Sequence, residues 1–184
     1  MINELLIFRF SLEFQIQMCD TEWYLEVDET LIPTGKVLPC NETNFDFSQW
    51  HSIGERTHQV PNGYDHCFVL ENNSENYRID QTKLRCAAKV YAPQTGIQMT
   101  MFTTEPGFQL YVGSKILKGH KPKKIQTSDH SVELGPYSGF CLEAQRFPDA
   151  IHQQNWKNQV ILKPKMNYKQ TTVYKFHSYE CDPM

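Results

Sequence analysis

The sequence predicts an all-β fold, an antiparallel β-sandwich, on three observations. Short stretches in which apolar and polar residues alternate recur along the chain, and turn-forming residues separate them. These stretches are rich in β-branched and aromatic residues, which favour strands. No long segment has the periodicity of an amphipathic helix. With no helices to cover a sheet, such strands bury their apolar faces by packing one sheet on another.

The first third of the chain predicts short strands separated by turns. Alternation over residues 6–18 predicts a strand with one buried face, and residues 24–27 predict a second, short strand. Residues 33–35, Pro-Thr-Gly, predict a turn. We expect one helical turn at residues 48–51 and a short apolar strand at residues 67–70.

The rest of the chain continues the pattern. Residues 84–91 and 98–104 predict a hairpin, because the turn between them, at residues 92–96, contains proline and glycine. Residues 108–112 predict the next strand. Near the end of the chain, residues 159–162 and 171–176 predict two more strands.

Residues 138–150 contain the carboxylate that stands out most clearly. If this stretch is extended, period-two alternation places Phe140, Leu142 and Ala144 on one face and Cys141, Glu143 and Gln145 on the other. Pro148 ends the pairing near Arg146 and leaves Asp149 in a turn. Glu143 is then either a base held on a stiff strand or a solvated residue of the outer face.

Four segments resemble motifs of the aldose 1-epimerases, the galactose mutarotase family. They are VDETLIPTG at 27–35, GYDHCF at 63–68, TTEPGFQLYVG at 103–113 and GFCLEAQRFPDAIHQ at 139–153, in the family's order. The resemblance implies a partial sandwich of the galactose mutarotase type, about half of the family's fold, in which a concave sheet holds the sugar. It implies a domain at residues 12–184, preceded by a non-family extension at residues 1–11, and no counterpart of the family's N-terminal half.

The resemblance also implies roles for individual residues. Glu143 matches the family's catalytic base, and Asp65 matches a residue that hydrogen-bonds sugar hydroxyls. Glu105 lies where the family carries a group near the sugar, although it could instead cap the turn that follows. Gln109 and Tyr111, which share a face of one predicted strand, are further candidates for sugar contact. For Tyr111, as for Phe68, core packing is the alternative to a platform under the sugar.

The acid of the reaction has no obvious counterpart. In the family it is a histidine upstream of the segment at 27–35, and the first histidine of this chain is His51. His66 is the first substitute to consider. It follows Asp65, however, and on a strand neighbouring side chains point to opposite faces.

Three functions therefore compete. The first is an aldose 1-epimerase acting on hexoses such as galactose or glucose. The second is an inactive carbohydrate-binding or partner-binding relic of the same fold, which the missing histidine favours. The third is a glycosidase that uses two of Asp65, Glu105 and Glu143, and the separation of the carboxylates would test it. A sugar-phosphate epimerase ranks last, because such a site calls for clustered arginines.

Composition restricts the partners. The 184 residues carry a net charge of -3, which argues against nucleic acid and an anionic membrane surface and leaves a small neutral sugar as the expected ligand. No histidine or cysteine spacing indicates a metal, and no cofactor is expected. Six cysteines without a Cys-x-x-Cys pair predict buried free thiols in a cytoplasmic protein, although three disulfides are conceivable. Half a sandwich leaves sheet edges and an apolar face exposed, so we expect instability, self-association or a partner.

Overall fold

The computed structural model describes residues 11–19, 21–70, 82–121 and 133–179. Within them, ten strands form two five-stranded sheets in which every pairing is antiparallel. Sheet 1 has the order β10-β7-β6-β1-β4, and sheet 2 has the order β3-β2-β5-β8-β9. The strands are β1 (Gln15–Met18), β2 (Trp23–Val27), β3 (Pro33–Pro39), β4 (His51–Ser52), β5 (Asp65–Val69), β6 (Arg85–Ala92), β7 (Ile97–Thr103), β8 (Gly107–Tyr111), β9 (Cys141–Gln145) and β10 (Thr172–Ser178). The predicted all-β sandwich is confirmed.

The main core lies between the two sheets. Alternation gives each strand one apolar face, and the faces of both sheets contribute to one buried cluster. Sheet 1 supplies Ile16, Ala88, Val90, Met99 and Met101, and sheet 2 supplies Phe68, Phe108, Leu110 and Leu142. Because these side chains occupy the inner face of β5, β8 and β9, the alternate residues of the same strands project to the outer face of sheet 2.

A second, smaller cluster covers part of that outer face. After β9 the chain forms two short 3₁₀ turns, Ala150–His152 and Lys157–Gln159. Phe147 and Trp156 from this segment are buried with Cys67 of β5, and the two rings meet edge to face with centroids 5.2 Å apart. Part of the outer face is therefore apolar and shielded from water.

The structure corrects two predictions at the start of the chain. Of the predicted strand at 6–18, residues 6–10 lie outside the described residues, as does most of the predicted extension at 1–11. Ser11–Glu13 is a 3₁₀ turn, and only β1 is extended. The predicted turn at 33–35 is part of β3. The chain reverses earlier because the Asp28 carboxylate accepts hydrogen bonds from the backbone N–H groups of Thr30 and Ile32, at 2.8 and 3.1 Å.

Two further local predictions are wrong. The helical turn expected at 48–51 does not form there, and the short helix α1 (Gly54–Thr57) lies downstream of it. No helix in the described part of the chain is long and apolar enough to cross a membrane. The strand expected at 159–162 does not form. Its apolar residues are exposed, and the chain is instead fixed upstream by buried Trp156 and by Gln159, whose Oε1 accepts a hydrogen bond from the backbone N–H of Phe147.

The cysteines only partly follow the prediction of free thiols. Cys19 and Cys86 form a disulfide with their Cα atoms 5.6 Å apart. This pairing follows from the register, because Cys19 comes directly after β1 and β1 pairs with β6, which contains Cys86. Three other cysteines, Cys40, Cys67 and Cys141, are free and buried. Cys181 lies outside the described residues.

Candidate functional site

Three neighbouring strands of sheet 2 bring the predicted site residues together. The registers place Asp65 opposite Tyr111, and Tyr111 opposite Cys141. Two residues further along the same two strands, Gln109 lies opposite Glu143. Directly opposed residues of antiparallel strands project to the same face, so all five side chains lie on the outer face of sheet 2. Period-two alternation thus placed Glu143 on the correct face of β9.

Hydrogen bonds connect these side chains across the sheet. The Gln109 amide donates from Nε2 to Oδ1 of Asp65 at 2.8 Å. Gln145 donates from Nε2 to Oε1 of Gln109 at 3.3 Å. Because the Gln109 oxygen accepts and its nitrogen donates, the orientation of the amide is fixed. The result is a polar row across β9, β8 and β5 that ends on a carboxylate.

Glu143 is half-buried next to this row. Burial raises the pKa of its carboxyl group, and the negative charge of Asp65 raises that pKa further. The thiol of Cys141, two residues away on the same face, donates a hydrogen bond to Glu143 that partly offsets both effects. Burial also raises the pKa of Cys141 to about 12, so the thiol stays protonated and can act as this donor. Glu143 is therefore a carboxylate of increased basicity.

The start of β8, beside this row, packs tightly against Phe147. Gly107 lies opposite Gln145 at the start of β8. A Cβ atom at position 107 would lie 2.6 Å from the carbonyl oxygen of Phe68 and 3.2 Å from the Phe147 ring. Only glycine lets Phe147 pack this closely onto the strand.

Glu105 is held by an ion pair. It is fully buried, and its Oε2 lies 2.8 Å from Nε of Arg146. The Arg146 guanidinium lies over the ring of Tyr168, 5.2 Å from the centroid. Burial raises the pKa of Glu105, and the positive charge of Arg146 opposes that rise. The predicted contact of Glu105 with a sugar stays a prediction, and the ion pair gives this buried carboxylate a structural role.

Two residues considered for the site project away from it. His66 and Phe68 alternate with Asp65 and Cys67 along β5 and so face the core. Phe68 is fully buried in the main core, which confirms core packing over a sugar platform. The His66 ring lies edge-on to Phe45, with centroids 4.7 Å apart. It therefore points away from the face that carries Asp65, and this orientation argues against the suggestion that His66 supplies the acid.

The remaining candidate, Tyr111, lies on the site face and is half-buried. Its hydroxyl accepts a hydrogen bond of 3.1 Å from the backbone N–H of Lys115. Cys141 and Gln145 also belong to the site face, although neither was chosen from the sequence as a site residue. The alternation around Glu143 could have indicated both. Among the described residues, no group of histidine, cysteine or acidic side chains is arranged to hold a metal ion.

The aldose 1-epimerase family model matches residues 7–175. The chain belongs to that family. Among its relatives, human galactose mutarotase is 35% identical over 158 residues, which are 85% of this chain and 42% of the human protein. Galactose mutarotase of Rattus norvegicus is 36% identical over 155 residues, covering 83% of this chain and 41% of the rat protein. The chain thus spans less than half the length of these relatives.

Solved structures of the family share the fold. The GalM/aldose epimerase homologue of C. elegans superposes with a TM-score of 0.74 at 21% identity, over 92% of this chain and 47% of that protein. Galactose 1-epimerase of Lactobacillus acidophilus gives a TM-score of 0.64 at 23% identity, over 97% of this chain and 51% of that protein. These similarities confirm that the sandwich is of the mutarotase type.

Proposed function

We propose that this chain is an aldose 1-epimerase that interconverts the α and β anomers of hexoses such as galactose or glucose, with Glu143 as the general base. One observation carries the proposal. Glu143, Gln109 and Asp65 lie on one face of three adjacent strands, and a hydrogen bond joins the last two. The family relatives named galactose mutarotase support the same reaction.

The chemistry follows from the carboxylates. Glu143 takes the proton of the C1 hydroxyl, which lets the bond between C1 and the ring oxygen break and leaves an open-chain aldehyde. Rotation about C1–C2 exposes the other face of the carbonyl, and the ring closes to the opposite anomer. The raised pKa of Glu143 suits this step, because a base is more effective when its pKa approaches the working pH. Asp65 accepts hydrogen bonds from sugar hydroxyls, and Gln109 holds it in place.

The proton for the ring oxygen must come from another group. His66 does not supply it, since its ring faces the core side of β5. In the proposed reaction, water or a group outside the four motifs gives the ring oxygen its proton. General acid assistance typically contributes a factor of about 10² to 10⁴, so we expect a rate well below that of an enzyme with both groups.

The orientation of His66 also favours a second function. A chain that keeps Asp65, Gln109 and Glu143 but lacks a positioned acid would bind a hexose without accelerating its anomerisation. This inactive carbohydrate-binding relic has the same site and the same ligand, and it differs from the first proposal only in catalysis.

Anomerisation of freshly dissolved α-D-galactose, followed by polarimetry, tests both functions. We expect this chain to accelerate the change above the buffer rate and Glu143→Gln to abolish the acceleration. The matched control is Glu22→Gln, an exposed glutamate between β1 and β2, which should retain full activity. If no variant exceeds the buffer rate while galactose still shifts the NMR signals of Gln109 and Asp65, the binding function is correct. If galactose neither reacts nor binds, both proposals fail.

A further inference from the structure

A cavity of about 750 Å³ lies on the other side of β5 from Glu143. Three segments surround it: the reversal between β2 and β3, residues 42–45 and residues 59–62. His66 lines it from the inner side of the strand. Its volume is within the range of small-molecule sites in proteins, which is roughly 300 to 1,000 Å³.

His66 offers this cavity a hydrogen-bond donor. The residue is 7% exposed, and its Nδ1 accepts a hydrogen bond of 3.1 Å from the backbone N–H of Asp65. An accepting Nδ1 places the proton of the neutral ring on Nε2. In the described part of the chain, Nε2 has no hydrogen-bond partner. Because His66 lines the cavity, an acceptor that enters the cavity can receive the Nε2 hydrogen bond.

The imidazole is held rigidly and is uncharged. Phe45 and Tyr24 pack against it with ring centroids at 4.7 and 6.2 Å, and the Phe45 and Tyr24 rings stack on each other. Burial lowers the pKa of His66 to about 4. At neutral pH the ring therefore donates a hydrogen bond without adding a positive charge to the cavity.

The rim carries negative charge. Asp28, Glu29 and Glu42 line the cavity, and its described lining includes no lysine or arginine. The guanidinium of Arg56 donates to the carbonyl oxygens of Asp46 and Thr43 at 2.6 and 3.4 Å, and its single positive charge offsets only part of the negative charge of the three carboxylates. The field at the opening therefore attracts cations and repels anions.

We propose that this cavity binds a small organic cation, a protonated amine on an apolar body that carries a hydrogen-bond acceptor at its far end. The ammonium group lies among the rim carboxylates, and the apolar body packs on Phe45 and Val60. The acceptor receives the Nε2 proton of His66. This site is separate from the face that carries Glu143, so the inference does not depend on the proposed epimerase activity.

Tyramine tests this proposal, because it joins an ammonium group to a phenol oxygen through an apolar ring. In titrations followed by the ¹⁵N–¹H NMR spectrum of this chain, we expect tyramine to cause saturable shifts at Asn44, Phe45 and His66. The anion 3-(4-hydroxyphenyl)propionate, similar in size and opposite in charge, should cause none. Excess D-galactose should not displace tyramine, which would show that the two sites are separate.

Variants test the contact at each end of the ligand separately. The double variant Glu29→Gln/Glu42→Gln changes exposed side chains only and should weaken tyramine binding at least tenfold, whereas Glu22→Gln should leave it unchanged. His66→Phe keeps an aromatic ring but removes the donor, and it should also weaken binding. The proposal is overturned if tyramine does not bind, if the anion binds equally well, or if the double variant binds tyramine as tightly as the unchanged chain.

Discussion

The amide of Gln109 donates a 2.8 Å hydrogen bond to Oδ1 of Asp65, across the gap between β8 and β5. Gln109 lies directly opposite Glu143 on its other side, so one residue connects the proposed base with the residue proposed to bind hydroxyls. The same amide accepts from Gln145, and this second bond keeps it from turning over. The position of the Asp65 carboxylate therefore depends on Gln109.

Replacing Gln109 with leucine should weaken sugar binding more than it weakens the fold. Leucine keeps a similar volume but leaves Asp65 without its donor, and a hydrogen bond to a charged group contributes about 1.5 to 3 kcal/mol. We expect the dissociation constant for galactose, measured by NMR titration, to rise by roughly tenfold or more. Gln98→Leu, on β7 of the other sheet, is the matched control. Equal weakening by both variants would show a general loss of structure.

The Asp65 charge should also control the pH at which Glu143 ionises. It is the second cause, after burial, of the raised pKa of Glu143. In Asp65→Asn this charge is lost, so the pKa of Glu143 should fall and its basic form should persist to lower pH. A ¹³C NMR titration of the Glu143 carboxyl carbon measures the shift directly, even in a chain without catalytic activity. An unchanged or higher pKa would contradict the proposed electrostatic coupling.

Ionisation of Glu143 should lower the stability of the fold, whereas ionisation of a salt-bridged acid raises it. Because the pKa of Glu143 is higher in the folded chain than in the unfolded chain, ionisation of Glu143 favours unfolding. We expect Glu143→Gln to have a higher free energy of unfolding than the unchanged chain at neutral pH. The difference should shrink as the pH falls through the folded and then the unfolded pKa of Glu143. Urea unfolding at several pH values tests this, with Glu22→Gln as the control that should show no such trend.

The sequence predicted the local part of the site well. Alternation depends only on neighbouring residues, so it gave the correct face for Glu143 and showed that Asp65 and His66 project in opposite directions. It also predicted the hairpin of β6 and β7, whose turn is short and carries its own glycine. The juxtaposition of Asp65, Gln109 and Glu143 depends on pairing between distant segments. Only the family resemblance indicated it.

What the sequence did not predict depends on contacts between distant residues. The ion pair between Glu105 and Arg146 requires the register of β8 and β9, which no local pattern specifies. The apolar run at 159–162 looks like a strand, but buried Trp156 fixes the chain just before it and leaves Val160, Ile161 and Leu162 exposed. The Cys19–Cys86 disulfide likewise follows from the pairing of β1 with β6 and not from cysteine spacing.

Arg146→Met should destabilise the fold because it leaves Glu105 buried without its partner. Removing one member of a buried ion pair typically costs about 3 to 5 kcal/mol. We expect a loss of that size in the free energy of unfolding measured with urea. Adding Glu105→Gln should recover most of the loss, because a neutral amide is less costly to bury than a carboxylate. If the double variant is as unstable as Arg146→Met, packing on Tyr168 and not charge explains the effect.

Two side-chain hydrogen bonds hold the outer edge of β9. Gln170 donates from Nε2 to the carbonyl oxygen of Ala144 at 3.1 Å, and the Tyr174 hydroxyl donates to that of Leu142 at 3.3 Å. These carbonyls flank Glu143, so β10 and the residues just before it hold the strand that carries the proposed base. In Gln170→Ala/Tyr174→Phe we expect a loss of about 1 to 3 kcal/mol in stability. Amide hydrogen exchange in β9 should accelerate more than exchange in β6, which lies in the interior of sheet 1. Uniform acceleration in both strands would mean that the two hydrogen bonds support the whole sandwich and do not specifically position Glu143.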